Sequence, residues 1–153
     1  MRQSRAILLA LTIAWVASGP PVVAQAADVR GSWHAETYLL KDGTRHLVKG
    51  LIFFTAQDWT VLFFVTPEGQ GVQRGSGEGG TYTLTGDSLT FTHFYNLSAG
   101  KAVAGIPESP LQMTVKDATN AGTEPCRVAL EGDHLTIHFP SGNQMTFRKS
   151  SGF

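Results

Sequence analysis

Apolar and polar residues alternate with a period of two along most of the chain. Between Trp33 and Leu39, apolar or small residues at odd positions alternate with His34, Glu36 and Tyr38. Such alternation is typical of a β-strand with one buried face. The pattern recurs in nine segments, and no stretch of ten or more residues has helical periodicity. The chain is therefore predicted to be all-β.

Short turns join the predicted strands. A three-residue link at 56–58 separates two apolar runs, which predicts a hairpin. The Gly86-Asp87 dipeptide predicts another, because glycine supplies the positive φ that a two-residue turn requires. Residues 130–136 closely repeat residues 84–90, which predicts a further hairpin of the same kind.

Many strands joined by hairpins favour a single antiparallel up-and-down β-barrel of eight to ten strands. A closed barrel of this size has no exposed edges and can enclose one ligand. The alternative is an open β-sandwich, whose Greek-key connections are longer than these hairpins.

Two segments lack clear alternation. Residues 67–80 are rich in glycine, and residues 96–110 are weakly patterned. Both are predicted to be loops, and long loops in a compact domain often bind other molecules. A protein partner, if there is one, is expected to contact these two loops.

The first 27 residues are predicted to be a cleaved secretory signal peptide. Arg2 and Arg5 precede an apolar run at 7–16, and small residues follow at 24–26. The run is about 10 residues long, whereas a membrane-spanning helix needs about 20. Residues 28–153 would then form the exported domain, in the periplasm or secreted, with no stable membrane span.

Composition excludes several classes of protein. Lys plus Arg number 12 and Asp plus Glu number 12, so there is no basic excess for binding nucleic acid. A hydrophobic fraction of 42% indicates a chain that can bury a core. A single cysteine, Cys126, cannot form an intramolecular disulfide, and its alternation with Val128 and Leu130 places it towards the core. No cofactor motif or catalytic set stands out.

Both ends of the predicted domain resemble the lipocalin-like branch of the calycin superfamily. Gly31-Ser32-Trp33 matches the Gly-x-Trp motif of the first lipocalin strand, and Arg148 matches the arginine on the last strand. The Thr-Asp-Tyr motif and the disulfide of typical lipocalins are absent, which favours a divergent bacterial relative. The resemblance implies structural roles for Gly31, Trp33 and Arg148, with Arg148 packed over Trp33 in a cation–π contact.

The most informative polar residue is His93. It shares a predicted strand face with Leu89, Phe91 and Tyr95, so burying that face carries His93 and Tyr95 into the barrel. There they would orient the polar head of a ligand against an apolar lining. The predicted ligand-binding residues are His93, Tyr95, Phe91, Phe53, Phe63 and Tyr82, with Trp33 and Phe139 also in the lining.

Two histidine pairs suggest a weaker metal hypothesis. His34 with Glu36, and His134 with His138, would form a metal site only if their strands met. Their faces are expected to be solvated, so no metal is predicted.

These observations leave three functional hypotheses. The first is an exported barrel that binds a small apolar or amphipathic molecule in its interior. The second is a protein-interaction or hydrolase-inhibitor barrel that acts through the loops 67–80 and 96–110. The third, less favoured, is a cyclase or isomerase, which would need a further polar partner beside His93. A completely filled interior would favour the second hypothesis.

Overall fold

The computed structural model describes residues 28–151 and contains nine strands. The strands are β1 (Gly31–Leu39), β2 (Arg45–Phe54), β3 (Asp58–Val65), β4 (Arg74–Thr85), β5 (Ser88–Gly100), β6 (Ser109–Val115), β7 (Gly122–Glu131), β8 (His134–His138) and β9 (Gln144–Lys149). The predicted signal peptide lies outside the described residues. No helix that could cross a membrane is found among residues 28–151.

Eight of the strands close into one antiparallel barrel. Each of β1 to β4 pairs with the next strand, β5 pairs with β7, and β9 returns to β1. This topology confirms the prediction of an all-β, up-and-down barrel of eight to ten strands. The ninth strand, β6, lies beside the barrel.

The long strand β5 carries two neighbours on the same edge. Its first half, Ser88 to His93, pairs with β7, whereas its second half, Tyr95 to Gly100, pairs with β6. The barrel wall is therefore extended by β6 near one end.

The predicted loops are shorter than expected. Residues 74–80 belong to β4, and residues 96–100 complete β5, so the loops at these places are 66–73 and 101–108. The prediction was wrong for residues 74–80 because glycines have no side chains that alternate, and for residues 96–100 because an extra residue at Phe94 shifts the alternation. The glycine-rich part of β4 is nevertheless held by backbone pairing with β3 on one side and β5 on the other.

Trp33 anchors one end of the barrel, the closed end. Its side chain is buried, and its indole N–H donates a 2.7 Å hydrogen bond to the carbonyl of Val29. Lys149, opposite Trp33 in the β1–β9 register, places its Nζ 4.2 Å from the centroid of the indole ring. Gly31 has a φ of +102°, which favours glycine, and a Cβ there would lie 3.1 Å from the same ammonium.

The predicted contact between Arg148 and Trp33 is wrong. Met145 and Phe147 are buried, so alternation along β9 turns Arg148 outward. There its guanidinium donates to Glu36 at 2.7 Å and to Asp133 at 3.3 Å. Lys149, one residue further along, takes the position over the indole.

Candidate functional site

A cavity of about 510 Å³ occupies the barrel interior on the side away from Trp33. Apolar and polar groups share its lining about equally, and most of the polar residues lie on or beside the adjacent strands β4, β5 and β7. The lining residues are Tyr38, Ile52, Trp59, Val61, Phe63, Glu78, Phe91, His93, Lys116, Gly122, Thr123, Glu124, Ile137, Phe139, Ser141, Met145 and Phe147. The interior is therefore not filled by side chains. The interior positions predicted for His93, Phe91, Phe63 and Phe139 are confirmed.

His93 lies between two glutamates in this cavity. Its Nδ1 is 3.0 Å from Oε2 of Glu78 on β4, and its Nε2 is 3.5 Å from Oε2 of Glu124 on β7. The three half-buried side chains come from three adjacent strands of the barrel wall. The predicted polar partner of His93 thus exists, although the imidazole is about a quarter exposed and not fully buried.

The two carboxylates make His93 a cation at neutral pH. Hydrogen bonds, first to Glu124 and then to Glu78, raise the pKa of His93 from 6.5 to about 9. Burial opposes this shift, but the acidic partners outweigh it. The cluster therefore holds one imidazolium between two glutamates, a formal net charge of −1.

Aromatic rings form the apolar wall next to the cluster. Trp59 meets the His93 ring edge-on at 5.2 Å between centroids, and it packs on Phe91 at 4.2 Å. The imidazole is therefore held by rings on one side and by carboxylates on the other.

A bulge brings Tyr38 into the cavity as well. The register of β1 against β9 shifts between Ala35 and Thr37, which changes the strand face that follows. The Tyr38 hydroxyl oxygen accepts a 2.7 Å hydrogen bond from the side-chain amide of Asn143. Burial raises the pKa of this phenol, so it stays neutral.

Tyr95 does not share the cavity with His93. The pairing of β5 with β4 shifts between His93 and Tyr95, where Phe94 is the extra residue. Tyr95 is 57% exposed as a result. Gly80 permits this bulge, since a Cβ at that position would overlap the carbonyl oxygen of Thr92. The predicted interior position of Tyr95 is therefore wrong.

Phe53 and Tyr82 are also placed elsewhere than predicted. Ile52 and Phe54 are the buried positions of β2, so Phe53 between them points outward and is 42% exposed. Tyr82 faces the core but packs edge-on against Phe54 at 5.1 Å, and its hydroxyl donates to the carbonyl of Thr55 at 2.8 Å. It belongs to the closed end of the barrel.

The sequence reasoning missed both glutamates. Glu124 alternates with the buried Cys126 and Val128, so the period-two rule was sufficient to place it inside. Glu78 had no such signal, because glycines at 77 and 79 surround it in a segment predicted to be a loop.

Cys126 faces the core as predicted. Burial and the nearby Glu124 raise the pKa of its thiol to about 12, so it remains protonated. A buried neutral thiol acts as a small apolar side chain.

The two histidine pairs do not form a metal centre. β9 lies between β1 and β8, so the two pairs are not on neighbouring strands. Glu36 pairs with Arg148 at 2.7 Å, and its other carboxylate oxygen is 3.9 Å from Nε2 of His134. Among residues 28–151, no group of three or more His, Cys, Asp or Glu side chains is arranged to hold a metal ion.

Comparisons with known proteins give one structural likeness. No protein-family model and no curated protein matches the chain. A lipocalin-like protein from Bacteroides uniformis ATCC 8492 superposes with a TM-score of 0.48 at 18% sequence identity, covering 81% of this chain and 100% of that chain. From its own closed strand order, the chain has a lipocalin-like fold, a single eight-stranded up-and-down barrel with one added strand.

Proposed function

We propose that the protein is an exported barrel that binds one small amphipathic molecule, with a hydrogen-bond-donating head group, in its interior cavity. The observation that carries this proposal is the His93–Glu78–Glu124 cluster, which lies next to an aromatic wall in the same cavity. Binding sites for small molecules commonly have this composition, in which apolar walls supply affinity and a few polar groups fix orientation.

The size and walls of the cavity suit the apolar part of such a ligand. A volume of about 510 Å³ falls within the roughly 300–1,000 Å³ of known ligand pockets. Trp59, Phe63, Phe91 and Phe139 offer aromatic surface, on which burial contributes about 25 cal/mol per Å² before ordering costs.

The cluster favours a head group that donates hydrogen bonds. Both ring nitrogens of His93 are already directed at glutamates, so the imidazolium has no donor left for a ligand. The remaining lone pairs of Glu78 and Glu124 accept hydrogen bonds from an ammonium or hydroxyl group. A carboxylate head would meet two like charges and no free donor in the cluster, because both N–H groups of His93 face the glutamates, and Lys116 is the one other cation among the described residues of the lining.

Export belongs to the same proposal. The basic start, the short apolar run and the small residues at 24–26 support removal of residues 1–27 by a signal peptidase. N-terminal sequencing of the purified protein tests this point. A start at residue 27 or 28 supports export, and an intact Met1 in a membrane fraction contradicts it.

Isothermal titration with three probes of one chain length tests the ligand class. Dodecylamine, dodecanol and dodecanoate share an apolar tail and differ only in the head group. We expect the amine to bind most tightly and the acid at least ~10-fold more weakly, which corresponds to about 1.4 kcal/mol. Equal binding of all three, or a preference for the acid, would contradict the role of the cluster.

A matched pair of variants locates the effect. Glu124→Gln removes one carboxylate of the cluster, whereas Glu131→Gln makes the same change at an exposed position of the same strand. Amine binding is expected to weaken about 10-fold in the first variant, because one charge-assisted hydrogen bond becomes neutral, and to stay unchanged in the second.

Acid–base catalysis is a second candidate, favoured by the same cluster. The third sequence hypothesis required a polar partner for His93, and the cavity supplies two carboxylates beside an imidazolium. In such a set a glutamate would act as the proton acceptor towards a substrate, and the imidazolium beside it would hold the exchangeable proton. Chromatography and NMR of a ligand recovered after incubation test it, because an isomerised or cyclised product has the same mass as its substrate, and an unchanged ligand supports simple binding.

A further inference from the structure

An apolar face covers the outside of the barrel where β3, β4, β5 and β6 lie side by side. Leu62, Gly77, Leu97 and Met113 are direct cross-strand neighbours in one row. The outer apolar face comprises seven exposed large side chains, namely Leu62, Phe64, Tyr95, Leu97, Leu111, Met113 and Val115. Their exposure on adjacent strands makes one continuous surface.

Glycines give this face its shape. Gly75, Gly77 and Gly79 alternate along the outer side of β4, and a Cβ at Gly75 would lie 2.9 Å from the ring of Phe64. A groove of about 580 Å³ runs over Gly77 and Gly79, between the side chains of β3 and those of β5 and β6. The outer apolar face therefore has two ridges and a furrow between them.

The area of the face exceeds that of an ordinary surface patch. The exposed fractions of its seven side chains amount to about four complete residues, or roughly 800 Å² of surface. The largest apolar patch on a monomer is usually about 300–600 Å². A stable interface buries about 800 Å² on each partner, so the face has the size of one half of an interface.

None of the seven side chains is charged, and neither are the three glycines between them. The face therefore has no charge that would select a partner of opposite charge. Its shape is self-complementary, because in a two-fold symmetric pair a ridge of one copy can pack into the furrow of the other. These features favour a second copy of the same chain over an acidic or basic partner.

We propose that the outer apolar face packs against the same face of a second copy, so that the protein is a two-fold symmetric dimer. The two sheets would stack about 10 Å apart, as in a β-sandwich, with a ridge of one copy over the furrow of the other. Pairing of β6 with β6 edge to edge is a different arrangement. It would place both apolar faces on one side of a continuous sheet and leave them exposed.

Sedimentation velocity on protein purified from cells expressing the full chain tests the dimer. Met113 is 73% exposed on the apolar side of β6, and Gln112 is exposed on the opposite side. We expect a dimer across about 1–100 µM. Met113→Glu should weaken it at least ~100-fold, because a charge would be buried without a partner. Gln112→Glu, which adds the same charge to the same strand, should leave it intact.

A second variant controls for the possibility that Met113→Glu only changes the local structure of β6. Leu97→Lys changes the neighbouring strand β5 within the same row and should also give a monomer. Far-UV circular dichroism and probe binding in the cavity show whether each variant is folded. A wild-type protein that stays monomeric overturns the proposal. The same holds if this monomer binds lipid vesicles through the outer apolar face. A dimer insensitive to Met113→Glu, or equally weakened by Gln112→Glu, overturns it too.

Discussion

The two ends of the barrel are built from the same strands but differ in what their side chains do. At the closed end, Trp33, Phe54 and Val29 are almost completely buried, and the indole N–H is satisfied by a backbone carbonyl. In the cavity, His93 and its two glutamates are only half-buried, and their charges face the interior space.

The difference separates stability from binding. Dense apolar packing lowers the free energy of the folded chain, whereas charged groups beside a cavity reduce packing and retain hydrogen-bonding capacity for another molecule. The comparison predicts that substitutions at the closed end change unfolding far more than ligand binding, and that substitutions in the cluster do the reverse.

Truncation of the anchor at the closed end should have the largest effect. Trp33→Ala is expected to lower the free energy of unfolding by about 3–5 kcal/mol, because it removes a buried indole and leaves a cavity. Urea denaturation followed by circular dichroism measures the loss. Phe53→Ala, at an outward-facing position of the paired strand β2, is the control and should cost much less. A loss below about 1 kcal/mol for Trp33→Ala would show that the closed end is not the anchor.

The charge cluster should make stability depend on pH in the alkaline range. The folded pKa of His93 is about 9, above its ordinary value of 6.5, so the folded state binds a proton more tightly. Its contribution is fully present below pH 6.5 and is lost as the pH rises through 9. We expect a loss on the order of 1–2 kcal/mol, after allowance for solvent screening, between pH 6 and pH 10.

Glu124→Gln should reduce this pH dependence, because Glu124 is the larger cause of the raised pKa. Subtracting the denaturation curves of wild type and variant at each pH isolates the effect. An NMR titration of the imidazole gives a direct reading. A His93 pKa at or below 6.5 would mean that the carboxylates do not hold the ring.

The barrel and the inward direction of His93 were predictable from the sequence. Alternation placed Leu89, Phe91 and His93 on one face, and short hairpins indicated up-and-down order. These features depend on local rules that hold along an uninterrupted strand.

Interruptions of the strands were not predictable in the same way. A single extra residue at Phe94 reverses the faces that follow, so Tyr95 leaves the interior while His93 remains. Glu78 escaped notice because its glycine neighbours show no pattern, although pairing with β3 and β5 keeps the segment in the sheet. A bulge depends on tertiary pairing, which a pattern within one strand does not contain.

The smallest expected effect on stability concerns the cation that lies over the Trp33 ring. Lys149→Met keeps most of the side-chain length and removes the ammonium that lies 4.2 Å from the Trp33 ring centroid. It should cost about 0.5–1 kcal/mol, the usual value of a cation–π contact near the surface. Arg148→Met removes the neighbouring cation, which is itself exposed and whose partners are the half-buried Glu36 and the exposed Asp133, and should change stability less. Urea denaturation of both variants ranks them. A larger loss for Arg148→Met would show that the ion pairs of Arg148 with Glu36 and Asp133 stabilise the barrel more than the ammonium over Trp33 does.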